Sequence, residues 1–236
     1  MASPQKKPQS LTVIVPAYNE ARTLGPLIER LLTVRFPLRL EVIVVDDGST
    51  DGTAKEAARL SRPGLKVLRH ETNRGKGAAI RTGLDAASGD LVLIQDADLE
   101  YEPEDILSLL KPALEQGAPV VYGSRILRRE NRASYWRYYW GGRFISLWTN
   151  LLFGSRITDE PTCYKLFDAR LLKGLGLRCT GFEFCPEATG KLLRGGVPIL
   201  EVPIRYTPRT IAEGKKIRWL DGVIALWTLL KIRIGG

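Results

Sequence analysis

The chain has 236 residues, 44% of them hydrophobic and 26% charged. That supports one sizeable core and excludes a disordered, collagen-like or low-complexity chain. The formal charge of +9 is uneven, with residues 1–123 at net −2 and residues 124–236 at net +11, so an anionic partner is expected for the second half.

Residues 1–10 are polar, include Lys6 and Lys7, and read as a flexible N-terminus without the apolar stretch of a signal peptide. Leu11–Val15, Leu40–Val45, Leu65–Leu68 and Leu91–Ile94 are short apolar runs, with a shorter fifth at Val120–Tyr122. Helical patterns lie between them around Leu24–Leu32, Thr53–Leu60, Gly77–Ala87 and Glu104–Leu114. Continuous apolar strands alternating with helices predict a mostly parallel, Rossmann-like sheet covered on both faces. The ligand site of such a sheet belongs at the carboxyl ends of its strands.

Beyond residue 123 the pattern changes. Phe144, Leu147, Trp148, Leu151 and Leu152 recur at helical spacing, with Arg143, Ser146 and Asn150 on the other side. Trp219, Val223, Leu226, Trp227 and Leu230 form a second stripe, followed by Lys231 and Arg233. These two amphipathic helices face either the core or a membrane surface. No apolar run reaches the ~18 residues of a spanning helix, so the chain is expected in the cytoplasm, peripheral to a membrane. Without an internal repeat or linker, residues 11–236 read as one domain.

The polar clusters fall where the strand-end rule wants them. Strand one runs into Pro16-Ala17-Tyr18-Asn19-Glu20, strand two into Asp46-Asp47-Gly48-Ser49, and strand four into Asp96-Ala97-Asp98-Leu99-Glu100. One such cluster is usually a turn with a helix cap, but three on one rim point to a site. Asp96 and Asp98, with Glu100, are hard oxygen donors suited to Mg²⁺ or Mn²⁺, which take their remaining ligands from water and phosphate. The segment Asn73-Arg74-Gly75-Lys76-Gly77 precedes a helix and suggests a phosphate cradle, although the Walker A spacing is absent. No G-x-G-x-x-G follows strand one, which argues against a dinucleotide-dependent oxidoreductase. The single histidine, His70, excludes multi-histidine metal sites, and the three cysteines, Cys163, Cys179 and Cys185, lack metal-ligand spacing and suit a reducing compartment. Metal, diphosphate and a basic second half together suggest a nucleotide-activated donor, with Arg125, Lys215 and Lys216 as phosphate-binding candidates. Aromatics on a helical stripe and the lack of an RNA-recognition motif argue against nucleic acid as the partner.

VIVPAYNE at 13–20, VVDDGSTDGT at 44–53, NRGKGAAIRTGL at 73–84 and DADLE at 96–100 resemble glycosyltransferase family 2 in order and spacing. Gly123-Ser124-Arg125, Thr158-Asp159, GFEFCPE at 181–187, VPIR at 202–205 and EGKK at 213–216 extend the resemblance over roughly residues 11–220. It is strongest to the dolichyl- and polyprenyl-phosphate sugar synthases.

The resemblance implies a GT-A fold and inverting transfer, with a nucleotide-binding half at 11–123 and an acceptor and membrane-facing half at 124–236. It implies that Pro16, Ala17, Tyr18 and Glu20 line the nucleotide pocket and that Asp46 and Asp47 stand at the base or ribose. Lys76, Asp96, Asp98 and Lys216 would serve the donor diphosphate, and Asp96, Asp98 and Glu100 the metal. Arg125, Arg143 and Ser146 would hold the acceptor phosphate, with Asp98, Arg125 and Asp159 closest to the chemistry. The implied partners are a nucleotide-sugar such as GDP-mannose or a UDP-hexose, a polyprenyl or dolichyl phosphate, a membrane surface and a membrane-anchoring protein. A lipid phosphate is already largely dianionic at pH 7, its second pKa being ~6, and needs cations more than a base. A saccharide hydroxyl would instead need a general base, for which Asp159 is the candidate.

Overall fold

The computed structural model describes residues 7–131, 136–209 and 216–235. Among these, seven strands form one sheet in the order β3-β2-β1-β4-β6-β5-β7. The first half alternates as the apolar runs predict: β1 (Ser10–Ala17), α1 (Leu24–Thr33), β2 (Arg39–Asp46), α2 (Thr53–Leu60), β3 (Leu65–Arg69), α3 (Lys76–Ala86), β4 (Leu91–Ile94), α4 (Ile106–Glu115) and β5 (Val120–Ser124). β1 pairs in parallel with β2 and β4, and β2 with β3. Because β1 is central, side chains on both of its faces are buried: Leu11, Val13 and Val15 pack with α1, α2 and α4, while Ile14 packs with α3. Each such side chain contributes about 1.5–3 kcal/mol on burial.

The second half adds α5 (Trp136–Phe153), β6 (Lys165–Asp168), α6 (Ala169–Gly174), α7 (Phe184–Arg194), β7 (Leu200–Pro203) and α8 (Trp219–Ile234). β6 inserts between β4 and β5 and runs antiparallel to both. An antiparallel strand enters the sheet from the rim where its neighbours end, so the residues before β6 lie on the rim with Asp96 and Arg125. β7 is parallel to β5 and delivers residues 204–209 to that same rim.

α5 and α8 are amphipathic, but their apolar stripes do not face the core. Trp136, Trp140, Phe144, Leu147 and Leu151 on α5 are exposed, as are Trp219, Leu220, Val223, Ile224 and Trp227 on α8. The polar side of α5 is the one that packs inward: Ser146 and Thr149 are buried and Asn150 is half-buried. The helices meet through Trp148, whose Nε1 donates to Leu226 O at 3.3 Å. No described helix is long and apolar enough to cross a membrane.

Candidate active site

The ends of β1 and β2 are knitted together first. Asn19 takes a positive φ of 52°. Its N–H donates to Ser49 Oγ, and its Oδ1 accepts from Thr50 N–H, both at 2.9 Å. Glu20 N–H donates to Thr53 Oγ1 at 2.7 Å. Pro16 and Tyr18 are half-buried at this rim, whereas Ala17 is buried and its carbonyl accepts from Asp47 N–H.

Asp46 is fully buried, accepts from Ser49 N–H at 3.1 Å and lies 3.2 Å from Arg69 Nε, which ties it into the turn after β2. Asp47 is nearly as buried and is engaged by the loop after β3. His70 Nδ1 lies 2.6 Å away, and the N–H groups of Arg74 and Gly75 donate to it at 2.9 and 2.7 Å. His70 Nε2 in turn meets Thr82 Oγ1 at 2.9 Å.

The Asn73–Gly77 loop is therefore not an open phosphate cradle. Besides the two N–H groups given to Asp47, Gly77 and Ala78 N–H donate to Gly181 O and Thr180 O. Gly75 has φ 94°, and a Cβ there would meet Thr180 O at 2.3 Å, so only glycine allows this close docking. Lys76 is a polar group that the loop sends towards Asp96. Its Nζ lies 2.6 Å from Asp96 Oδ1 and 3.1 Å from Cys163 Sγ.

The three acids after β4 take different partners. Burial works against a charged Asp96, but the Lys76 ammonium outweighs it and holds Asp96 below the ordinary carboxylate range. Asp98 is pushed up to about 7 by burial and by the negative charges of Asp96 and Glu100, only partly offset by Arg209. Leu99 between them has φ 60°, a left-handed conformation costing about 1–2 kcal/mol for a side chain of this kind. Glu100 accepts from Tyr206 OH and from Arg209 N–H, both at 2.7 Å.

Two cations reach across from the far end of the sequence. Arg209 Nη1 and Nη2 lie 3.1 and 3.2 Å from Glu20, and Nη2 lies 3.2 Å from Asp98. Lys216 Nζ donates to Glu20 Oε1 at 2.7 Å and to Tyr18 O, and sits 5.7 Å from the Tyr18 ring centre. Lys215 and the rest of the EGKK motif lie outside the described residues.

Arg125 and Asp159 form a bidentate pair. Arg125 Nε and Nη2 donate to Asp159 Oδ2 and Oδ1 at 2.8 and 2.7 Å, and the Arg125 N–H adds a third bond at 2.8 Å. Burial opposes the Asp159 charge, yet this guanidinium keeps it below the usual carboxylate range. Arg125 also stacks 4.9 Å over the Tyr206 ring. Both Asp159 oxygens therefore accept from Arg125. Arg143 Nη1 donates to Thr158 O at 2.9 Å, next to that pair. Ser146 is buried, with its hydroxyl bonded to Gly142 O and accepting from Glu160 N–H.

Among the described residues no three His, Cys, Asp or Glu side chains form a ready-made metal cage. The donor chemistry nevertheless fits a hard divalent cation. Asp98 is crowded by two other carboxylates, and Mg²⁺ or Mn²⁺ accepts one or two carboxylates plus water and phosphate oxygens. Glu100, the third candidate ligand, already accepts one hydrogen bond on each oxygen, from Tyr206 and Arg209. Arg209, Tyr206 and His70 are the site residues that sequence reasoning missed. The only signal for Arg209 was a basic residue shortly after the last strand.

The family model "Glycosyl transferase family 2" matches residues 12–176. The chain belongs to glycosyltransferase family 2. It is 29% identical to the UDP-N-acetylglucosamine–dolichyl-phosphate N-acetylglucosaminyltransferase of Methanococcus voltae, over 94% of this chain and 96% of that protein. It is 30% identical to the dolichol-phosphate mannosyltransferase of Pyrococcus furiosus over 87% of its own length, but spans only 58% of that relative. In fold it is similar to glucosyl-3-phosphoglycerate synthase from Mycobacterium tuberculosis, solved with Mn²⁺, UDP-glucose and phosphoglyceric acid, with TM-score 0.71 and 24% identity over 95% of this chain and 80% of that one. The sheet with its one antiparallel strand is the GT-A fold, and the chain is a glycosyltransferase related to the polyprenyl-phosphate sugar synthases.

Proposed function

We propose that this glycosyltransferase moves a sugar, with inversion, from a nucleotide-sugar to a polyprenyl or dolichyl phosphate at a membrane surface. The observation that carries this reading is the orientation of α5. It turns tryptophan, phenylalanine and leucine outward while its polar side, with Arg143, faces the rim where Arg125 is held. An aromatic face of this kind suits the bilayer interface, and seated there it would bring a cation-rich rim towards a lipid phosphate. The relatives that act on dolichyl phosphate support the same acceptor class.

The nucleotide would sit over β1 and β2, against Tyr18 and Glu20, with its diphosphate towards Lys76, Lys216 and the Asp96–Glu100 turn. A Mg²⁺ or Mn²⁺ ion held by Asp98, with Asp96 nearby, would neutralise charge on the departing nucleoside diphosphate. Arg125, fixed by Asp159, and Arg143 orient the acceptor phosphate for attack on the anomeric carbon. Arg209 ties the β1 and β4 ends of the donor site together, since its backbone and guanidinium together touch Glu20, Asp98 and Glu100. A phosphate dianion needs no proton removed, which agrees with an Asp159 that pairs with Arg125. An acceptor hydroxyl would need Asp159 as the general base, and its bidentate ion pair disfavours that role.

The test is transfer of radiolabelled sugar into an organic-extractable product. Polyprenyl phosphate, Mn²⁺ or Mg²⁺, and GDP-mannose, UDP-glucose or UDP-N-acetylglucosamine are supplied in turn. Label in the lipid phase with one donor is the expected result. Release of nucleoside diphosphate only with a saccharide acceptor would retire the lipid reading and return Asp159 to base catalysis.

A further inference from the structure

Residues 158–163 lead from the rim into β6 and are held by side chains from other elements. Glu201 on β7 accepts from Thr158 and Asp159 N–H at 2.7 and 3.0 Å, and Arg143 on α5 donates to Thr158 O. Ser146 on α5 accepts from Glu160 N–H at 2.9 Å. Lys165 on β6 is fully buried. Its Nζ donates to Glu160 O at 2.5 Å and to Thr162 O at 2.7 Å, and lies 4.0 Å from the centre of the Tyr122 ring on β5.

The Glu160 side chain is the unexplained group in this segment. It is 1% exposed, and neither carboxyl oxygen has a hydrogen-bond partner among the described residues, nor does the buried Thr162 Oγ1. A buried ammonium stands five residues along the chain, yet it bonds to the backbone of Glu160 and not to its carboxyl. An ionised carboxylate there would take the ammonium, because a buried charge without a partner is far costlier than a neutral group. The arrangement is that of a carboxyl holding its proton, and burial raises Glu160 to about 7. Lys165 opposes that rise, Cys185 on α7 and the neighbouring Asp159 add to it, and Tyr122 feels the Glu160 charge in turn.

We propose that Glu160 and Lys165 are positioning residues for the acceptor phosphate, a proton-gated latch on Asp159 and Arg125. With Glu160 protonated, the Lys165 ammonium stays on the two backbone carbonyls and the segment is fastened. As pH rises, Glu160 gives its proton to bulk water, and its carboxylate draws the ammonium off Glu160 O and Thr162 O. Asp159, the preceding residue, then loses the support that aims Arg125. Neither latch residue has to touch sugar or phosphate. The effect therefore falls on acceptor affinity and not on nucleotide binding at the ends of β1 and β2.

The link to the acceptor rests on the proposed function, while the latch itself is read without the reaction. Infrared spectra of the full chain, set against Glu160→Gln, should show a protonated-carboxyl C=O component at pH 6 that the variant lacks and that is lost by pH 8.5. Hydrogen exchange of residues 158–163, corrected for intrinsic pH dependence, should be about tenfold faster at the higher pH, the size expected when a hydrogen bond to a charged group is lost. Glu160→Gln should not show that loosening, and the exchange result in the parent needs no variant. The KM for polyprenyl phosphate should rise about tenfold between pH 7 and 9 in the parent and not in Glu160→Gln, with nucleotide affinity held in both. The acceptor's own second ionisation, at a pKa of ~6, lies below that range. A carboxyl component that is unchanged between the two pH values, or protection that does not depend on pH, would overturn the latch. Loosening without a change in KM would overturn its action on the acceptor. If polyprenyl phosphate is no acceptor, the lipid reading fails, and spectra and exchange judge the latch alone.

Discussion

The proposed membrane engagement through α5 can be tested without touching the site. Trp140, Leu147 and Leu151 lie on one face of the helix and are 63%, 65% and 73% exposed. Full burial of a side chain of this size contributes about 1.5–3 kcal/mol, so seating the exposed fractions in a bilayer interface contributes about 1–2 kcal/mol each. Replacing all three with serine should therefore remove roughly 4 kcal/mol of partitioning energy, nearly three powers of ten in vesicle affinity. The assay is co-sedimentation with vesicles of mixed neutral and anionic lipid, compared with the parent protein. The melting temperature should hold, because these side chains face solvent, and turnover of a short-chain, water-soluble prenyl phosphate should be retained. A triple variant that sediments with vesicles as the parent does would refute the assignment of this face to the membrane.

Asp98→Ala should abolish sugar transfer while leaving the melting temperature within a few degrees, and retained turnover would count against Asp98 as metal ligand. Arg209→Ala removes the cation shared by Glu20, Asp98 and Glu100. It should lower turnover while lowering the Mn²⁺ concentration for half-saturation, both read from initial rates across a metal titration. Glu160 is fully buried, its carboxylate oxygens have no hydrogen-bond partner, and burial raises it from 4.5 to about 7. The folded state therefore keeps a proton that the unfolded chain loses, and stability falls as pH rises from about 4.5 through 7, by roughly 3 kcal/mol. Glu160→Gln should flatten that slope, raising the melting temperature at pH 8 with little change at pH 4, and an unchanged slope in thermal melts would show that Glu160 does not titrate as described.

Much of the donor half was legible from local pattern. Apolar runs and 3.6-residue spacing placed β1–β5 and α1–α4 to within a few residues, and the strand-end rule put Asp47, Asp96 and Asp98 on one rim. The loop Asn73–Gly77 shows where local reading stops. Its glycines suggested phosphate, but the space they leave is filled by the backbone of residues 180–181, contacts made a hundred residues along the chain.

By itself the sequence determined the alternation, the two amphipathic helices and the acidic rim, because periodicity and turn chemistry act between near neighbours. Only the tertiary structure decided that β6 runs antiparallel between β4 and β5, since a four-residue strand carries too little pattern to announce its partners. The same holds for Arg209 reaching Glu20 across 189 positions, and for Asp159 being committed to Arg125. It also holds for the outward turn of the tryptophans, because an apolar stripe reads alike whether it meets a core or a membrane. The side of α5 that packs was settled by what the polar face could bond: Ser146 to Glu160 N–H, Asn150 to Ile157, and Arg143 to Thr158 O. Those partners exist only once the chain has folded back on itself.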